Sequence, residues 1–140
     1  MCDNLKNILR CILICHDAEL DPQHDPNDLK TADYILTTNA DEQALINGVL
    51  YFSSRIIEQK NDHTTILINN YDREKYRIIK PLSLPFNHEN KFMIISCYFE
   101  QTNQYISFLK GSYEKVIELC IPNTFENSQS KIDQFHRECN

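Results

Sequence analysis

Two short segments of the sequence carry residue types that could hold a flat, negatively charged ligand. In the first, Phe86 is followed five residues later by Lys91, which would pair an aromatic stacking face with an ammonium group. In the second, the run Lys110-Gly111-Ser112 joins a lysine to a glycine that lets a ligand come close to the backbone. If a helix follows, its unpaired N–H groups also favour an anion. Taken alone, each segment is better explained by ordinary structure, as a core phenylalanine, a solvated lysine and a strand-to-helix turn.

Apolar residues with helical spacing occur before and after these segments in the sequence. This spacing predicts a first helix from Leu5 to Leu13 with Asp3 as its cap, and a second helix that begins near Asn39 or Asp41. A third helix is predicted from Tyr113 to Cys120, directly after the Lys-Gly-Ser run. The side of the second helix that should face the core is made of apolar residues, namely Ala44, Leu45, Val49 and Phe52.

β-branched and alternating runs predict strands between the second and third helices. They cover Thr64 to Ile68, Tyr76 to Phe86, Phe92 to Phe99 and Tyr105 to Leu109, and the last two form a hairpin. The prolines in the second of these runs predict an edge or a break there. The sequence therefore predicts an α+β fold, in which an antiparallel β-sheet is flanked by helices. At 140 residues, the chain is expected to form a single domain over residues 1–140.

The charge balance narrows the classes of partner. The chain has 20 acidic and 14 basic residues and a net charge of −6, which argues against a broad nucleic-acid or anionic-membrane surface. No apolar run reaches the roughly 20 residues of a membrane-spanning helix, so the chain is not expected to insert into a membrane. The acidic stretch from Asp17 to Lys30 contains Asp-Pro pairs and is predicted to be an exposed, mobile loop.

The cysteines and histidines suggest other chemistry, which the sequence does not complete. The 6 cysteines are expected to be reduced and mostly buried, since no secretory signal is evident. Cys11, Cys15 and His16 have a spacing that could bind zinc, but no second ligand pair accompanies them, and no metal site is expected. His16, Asp17 and Glu19 could act as acid and base, but nothing nearby completes such a site, so no catalytic residue is assigned.

Three motifs, in this order along the chain, resemble the nucleotide-binding (N) domain of P-type ATPases. They are Asp41-Glu42-Gln43-Ala44-Leu45, Leu84-Pro85-Phe86-Asn87-His88-Glu89-Asn90-Lys91, and the segment from Lys110 to Cys120. The third motif is the most specific of them, and the resemblance covers nearly the whole chain. The sequence departs from the family pattern at His88, Met93 and Tyr113, which affects the polar contacts expected around a bound base more than the stacking.

The resemblance implies a role for each site residue. Phe86 would stack on adenine, and Glu42 would accept a hydrogen bond from the adenine amino group. Lys91 and Lys110 would shape the pocket and face the polyanion. Gly111 would permit a close approach of the ligand. These roles agree with the chemistry that the residue types offer by themselves.

The resemblance also implies that the chain is a fragment of a larger membrane ATPase. The sequence has no Asp-Lys-Thr-Gly-Thr motif, which carries the family's phosphorylated aspartate, and it stops at Asn140 before a Gly-x-Arg-like segment expected to contact the phosphates. The expected partners are ATP and the phosphorylation and actuator domains of the same polypeptide, with Mg²⁺ bound outside this fragment. The fragment is expected to be a monomeric cytosolic domain of a multi-pass membrane protein, which binds ATP without hydrolysing it.

Several functions are compatible with these implied properties. Segments 86–91 and 110–120 favour a cation pump, whereas segment 41–45, the Cys15-His16 pair and the residues after Phe52 favour a phospholipid flippase. A cation is slightly favoured as the transported species. A hypothesis of another class is a P-type ATPase-like module that has lost turnover and regulates a larger membrane protein. A third is a free-standing zinc or redox protein.

Overall fold

The computed structural model describes residues 1–23, 25, 35–37, 39–120 and 137. Its α-helices are α1 (Asp3–Ile14), α2 (Ala40–Gly48) and α3 (Tyr113–Leu119), and short 3-10 helices cover Val49–Phe52 and Lys80–Leu82. Of the stretch predicted as an acidic loop, positions 24 and 26–30 lie outside the described residues, as does Cys139. No helix in the described ranges is long and apolar enough to cross a membrane.

The described strands form two antiparallel sheets. β1 (Glu19–Leu20) pairs with β2 (Ile35–Leu36), so that part of the predicted loop is a short strand. The larger, five-stranded sheet contains β3 (Arg55–Gln59), β4 (His63–Ile68), β5 (Asp72–Ile78), β6 (Phe92–Phe99) and β7 (Gln104–Gly111), in that order. Each strand pairs with the next one along the chain, which makes the sheet a simple meander. The predicted α+β fold with an antiparallel sheet and flanking helices is confirmed.

The strand predicted from Tyr76 to Phe86 is shorter than expected, because a 3-10 helix interrupts it. β5 ends at Ile78, and the chain then passes through Lys80–Leu82, which contains a proline in its first turn. Leu84 afterwards regains a bridge to Ile94 of β6. Proline has no N–H to donate to a neighbouring strand, so the break that the prolines predicted is found here. β3 was not predicted from the sequence, because it carries only one fully buried side chain and no clear alternation.

The core lies between the inner face of the large sheet and α1, which packs on β4 and β7. Leu9 and Leu13 of α1 are almost fully buried there. The N-cap lies one residue earlier than expected, since Cys2 is the N-cap and Asp3 lies in the first turn. The core residues are apolar and come from nearly every element: Leu9, Leu13, Ile14, Cys15, Ala18, Ile35, Ile46, Val49, Ile56, Ile66, Ile68, Tyr76, Met93, Cys97, Phe99 and Phe108.

A buried ionic network fixes α1 on the sheet. Arg10 of α1 donates to both carboxylate oxygens of Glu74 on β5, at 2.9 Å from Nε to Oε2 and 2.6 Å from Nη2 to Oε1. The hydroxyl of Tyr76 donates to the same carboxylate at 2.7 Å. The guanidinium also lies 5.8 Å from the ring centroid of Phe99. Since both charges of this pair are largely removed from water, the network holds α1 in one orientation on the sheet.

The face of α2 that contacts the core differs from the predicted one. Ile46 and Glu42 are its buried residues, whereas Ala44 and Leu45 are exposed. Phe52, in the following 3-10 helix, is 45% exposed, so of the predicted apolar side only Val49 is buried. The predicted apolar side left out Ile46 and did not include the buried carboxylate of Glu42. Because Glu42 is buried, the side of α2 that contacts the core is not the one that carries Ala44 and Leu45.

Candidate functional site

A cleft of about 1210 Å³ opens between the start of α2, the β1–β2 pair and the ends of β6 and β7. Four of the predicted site residues, Glu42, Phe86, Lys110 and Gly111, line it together. These four come from three separate segments of the chain, which only the fold brings side by side. Lys91 is not among the lining residues.

Glu42 is the buried carboxylate of the cleft. It lies in the first turn of α2, which Asn39 caps by accepting hydrogen bonds from the N–H groups of Asp41 and Glu42. The Glu42 side chain is 7% exposed, and Lys110 Nζ donates to its Oε1 at 2.9 Å. The N–H of Asp17 lies 3.3 and 3.4 Å from its two oxygens, which are long hydrogen bonds. Because a carboxylate has about four acceptor positions, Glu42 keeps capacity to accept from a ligand.

Lys110 reaches Glu42 from the opposite wall of the cleft. It lies on β7, directly across from Met93 of β6, and its side chain is 26% exposed. Its ammonium group joins the end of the sheet to the start of α2 and neutralises the buried carboxylate. Lys110 was predicted to face a polyanion, but in the structure its charge is already paired with Glu42.

Phe86 presents an open ring to the cleft. It is 45% exposed, which excludes the core position that its residue type favoured. The chain reaches it after the interrupted strand, through Pro85. His88 meets its ring edge to face, with centroids 5.5 Å apart and planes at 85°. This contact with His88 restrains Phe86 and leaves ring surface available for stacking.

Lys91 belongs to the turn that carries Phe86 rather than to the cleft wall. Its φ of 58° is in the left-handed region, and its N–H donates to the carbonyl oxygen of Asn87 at 2.9 Å. The Asn87 side chain accepts from the Asn90 N–H at 2.7 Å, which closes the same turn. The carbonyl of Lys91 accepts from the Ser112 N–H at 2.9 Å. The backbone of Lys91 therefore ties this turn to the start of α3, and its side chain lies exposed.

Gly111 has a packing reason to be a glycine. A Cβ at this position would lie 2.5 Å from the Cβ of Phe92 and 2.6 Å from the carbonyl oxygen of Lys91. Atoms that close cannot be accommodated without moving strand β6. The absence of a side chain at Gly111 therefore allows β7 to approach β6 closely, independently of any ligand.

The Cys11, Cys15 and His16 cluster is embedded at the end of α1. The thiols of Cys11 and Cys15 donate to the carbonyls of Leu109 and Phe108 on β7. His16 is 8% exposed, its Nε2 lies 3.1 Å from the carbonyl oxygen of Leu13, and burial lowers its pKa. Its Nδ1 has no partner within the described part of the chain. A neutral imidazole that donates from Nε2 explains this arrangement, and the described residues contain no group of three or more side chains suited to a metal.

The lining of the cleft is acidic. Its carboxylates are Asp17, Glu19, Asp21, Asp41 and Glu42, and Lys110 is the one basic side chain among the described lining residues. The sequence analysis missed the contributions of Ile35 and Leu36, because this two-residue apolar run is too short to predict a strand. The cleft is best suited to a flat, uncharged group that donates a hydrogen bond, because such a group can stack and can bind a carboxylate.

A family model described as P-type ATPase, cytoplasmic domain N, matches residues 4–138. A comparison with curated proteins found no match. The family match covers every residue that lines the cleft.

Proposed function

Because the chain belongs to the family of P-type ATPase cytoplasmic N domains, we propose that the cleft binds the adenine end of ATP. In the whole transporter, the domain then holds the nucleotide while its γ-phosphate passes to an aspartate on a separate domain. Phosphoryl transfer depends mainly on positioning and on charge stabilisation. One observation supports this proposal most directly. An exposed phenylalanine ring and a buried carboxylate with unused hydrogen-bond acceptor positions line the same cleft.

The two groups match different parts of adenine. The exposed face of Phe86 offers a stacking surface, and a base stacked on an aromatic ring contributes about 1–3 kcal/mol. Glu42 accepts hydrogen bonds and cannot donate them, so it suits the exocyclic amino group of adenine. Guanine carries a carbonyl oxygen at the equivalent ring position, which would face the carboxylate without a proton between them. The proposed site therefore favours adenine over guanine.

The phosphates are placed outside the acidic lining in this proposal. Four carboxylates besides Glu42 line the cleft, and Lys110 is paired with Glu42, so a polyphosphate gains little there. Lys91 is exposed on the turn beside Phe86 and lies nearer to solvent than the cleft wall. Mg²⁺ and the basic residues of other domains supply the remaining charge when ATP is bound in the whole protein. We expect the isolated domain to bind ATP weakly and not to hydrolyse it.

The transported species is proposed from sequence segments alone. Segments 86–91 and 110–120 favour a cation, and segment 41–45 favours a phospholipid. The full-length protein distinguishes these alternatives in reconstituted vesicles, where a cation pump shows ATPase activity that depends on a cation. A flippase shows activity that depends on a phospholipid headgroup. A regulatory module that has lost turnover forms no phosphorylated aspartate under either condition.

Titration of the domain with ATP, followed by two-dimensional NMR, tests the binding proposal. We expect saturable shifts around Phe86, Glu42 and Lys110, and a loss of about 1–3 kcal/mol in binding free energy for Phe86→Ala. Phe52→Ala is a matched control, because Phe52 is equally exposed at 45% and is not a lining residue of the cleft. Absence of saturable shifts at millimolar ATP, or an equal effect of the two substitutions, would overturn the proposal.

A further inference from the structure

The face of the large sheet turned away from α1 carries a row of basic and aromatic side chains. Arg73, Lys75 and Arg77 occupy alternate positions of β5, so their side chains point to the same, outer face. Arg77 pairs in register with Tyr98 of β6, which pairs in turn with Tyr105 of β7. These five residues are called the outer-face patch below.

The aromatic half of the patch is preorganised. The guanidinium carbon of Arg77 lies 5.0 Å from the ring centroid of Tyr98, which is a cation–π distance. The rings of Tyr98 and Tyr105 have centroids 5.2 Å apart. The hydroxyl of Tyr98 donates to the Asn103 side chain at 2.7 Å, while Tyr105 is 77% exposed. A partner therefore meets side chains that are already ordered, and it loses little entropy in fixing them.

The basic half of the patch is only partly neutralised. Lys75 lies 3.9 Å from Glu100, which is a loose ion pair. Within the described ranges, Arg73 and Arg77 form no ion pair with a carboxylate. A basic row that is neutralised only in part is unexpected in a chain of net charge −6, since its other basic residues are outnumbered by acidic ones. Lys75 also interacts electrostatically with Asp62, so the charge available to an acidic partner is mainly that of Arg73 and Arg77.

We propose that the outer-face patch binds an extended acidic segment of a partner polypeptide, with its carboxylates at every second residue. Side chains on one face of a strand repeat every two residues, or about 6.6–6.8 Å. An extended peptide has the same repeat, so one lying along β5 places successive carboxylates against Arg73, Lys75 and Arg77. The exposed ring of Tyr105 provides apolar surface beside this row for a neighbouring side chain of the partner.

The size of the patch favours a peptide over other anionic partners. A membrane or a long nucleic acid extends beyond the patch and meets the rest of a molecule whose net charge is −6. A short segment meets only the basic row, because charges more than about 8–10 Å away are screened at physiological salt. The local charge therefore decides the binding of a peptide, whereas the net charge opposes the binding of larger polyanions.

Binding of two synthetic peptides of identical composition tests the proposal. One peptide alternates glutamate and serine over eight residues, and the other has four glutamates followed by four serines. We expect fluorescence anisotropy at low salt to show tighter binding of the alternating peptide, and NMR shifts of the protein centred on β5 and Tyr98. Arg73→Gln and Arg77→Gln should each weaken the binding by about two- to fivefold, as expected for exposed ion pairs. Lys115→Gln, which removes an exposed lysine of α3, should leave it unchanged.

Several results would contradict this proposal. Equal affinity for the two peptides would show a general charge effect without the predicted register. Binding that is insensitive to Arg73→Gln and Arg77→Gln would place the contact elsewhere. Tighter binding of phosphatidylserine vesicles than of the alternating peptide would favour a membrane, and no detectable binding at millimolar peptide would exclude a site. ATP titration of the same variants keeps this test separate from the nucleotide cleft, because none of the substituted residues lines the cleft.

Discussion

Two buried glutamates of this domain have the same exposure and different surroundings. The side chains of Glu74 and Glu42 are both 7% exposed, and each forms an ion pair with one basic residue. Glu74 also accepts a hydrogen bond from the hydroxyl of Tyr76, and Arg10 donates to both of its oxygens. Glu42 has Lys110 on one oxygen and only the long contacts from the Asp17 N–H besides.

The difference gives a physical reason to regard Glu74 as a structural carboxylate and to propose Glu42 as a ligand-binding one. A buried charge costs free energy unless its hydrogen-bonding capacity is satisfied. Glu74 is satisfied by the protein itself and therefore stabilises the fold. Glu42 is satisfied only in part, and its remaining capacity faces a cleft, so a ligand can complete it. Burial and net pairing alone do not separate the two cases, whereas the count and length of the accepted hydrogen bonds do.

Glu74→Ala should have the largest effect on stability. It leaves the guanidinium of Arg10 and the hydroxyl of Tyr76 without their acceptor under α1, and loss of one member of a buried pair costs about 3–5 kcal/mol. Urea unfolding followed by circular dichroism measures this change. Glu74→Gln, which keeps the shape and one acceptor, should cost less. A loss below about 1 kcal/mol for Glu74→Ala would show that the network does not stabilise the fold as argued.

Glu42→Ala should affect binding more than stability. Lys110 is 26% exposed and can turn to solvent when its partner is removed, so we expect about 1 kcal/mol of lost stability. The loss of a charged acceptor should weaken ATP binding by about 1.5–3 kcal/mol. ATP titration and urea unfolding of the same variant give both numbers. A loss of stability equal to that of Glu74→Ala, with unchanged ATP affinity, would abolish the distinction between the two glutamates.

The sequence predicted the parts of the fold that have local signals. The hairpin of β6 and β7 was predicted from its apolar strands and polar turn, and the start of α2 was predicted near Asn39 or Asp41, where the structure has it. The cleft residues were found by motif order, since neither the exposure of Phe86 nor the Lys110–Glu42 pair has a sequence signal of its own. The hairpin and the start of α2 were predictable because each depends on residues close together in the chain.

The rest depended on contacts between distant parts of the chain. Glu42 is buried and contacts Lys110 of β7 and the N–H of Asp17, which are distant from α2 in the sequence. Leu45, which was predicted to face the core, is exposed. The need for glycine at position 111 follows from the neighbouring strand, although the sequence suggested a ligand. β1 and β2 pair across a stretch that includes positions outside the described residues, and two-residue strands carry no periodicity. Such features can be recognised only when the folded structure is known.

Gly111→Ala should extend the comparison to the strand that carries Lys110. The added Cβ meets backbone and Cβ atoms of Phe92 at 2.5–2.7 Å, so β7 must move, and overpacking of this kind costs about 1–3 kcal/mol. The displacement should also disturb the pair formed by the preceding Lys110, while the Glu74 network on β5 stays intact.

The control for this substitution is the other glycine of the chain. Gly48 has a helical φ of −60°, and an added Cβ there meets nothing within 4 Å. Gly48→Ala should therefore stabilise the domain by about 0.5–1 kcal/mol. Thermal unfolding of both variants measures the contrast. If Gly111→Ala also proved stabilising, the close approach of β7 to β6 would not explain the glycine.

Acidification should distinguish the two glutamates through His16. Burial lowers the His16 pKa below its ordinary 6.5, and the charge of Glu42 opposes this shift in part. As the pH falls below about 6.5, the unfolded chain gains a proton at His16 before the folded chain does, so stability decreases until the folded pKa is reached. Glu42→Gln removes the attraction, lowers the His16 pKa further and should extend this decrease to lower pH. Glu74→Gln should leave the His16 part of the decrease unchanged, because Glu74 is not among the groups that act on His16. The His16 part is the difference in stability between Glu74→Gln and the double variant that also carries His16→Asn.

An equal response of Glu42→Gln and Glu74→Gln in unfolding measured across this range would mean that Glu42 is not electrostatically coupled to the end of α1.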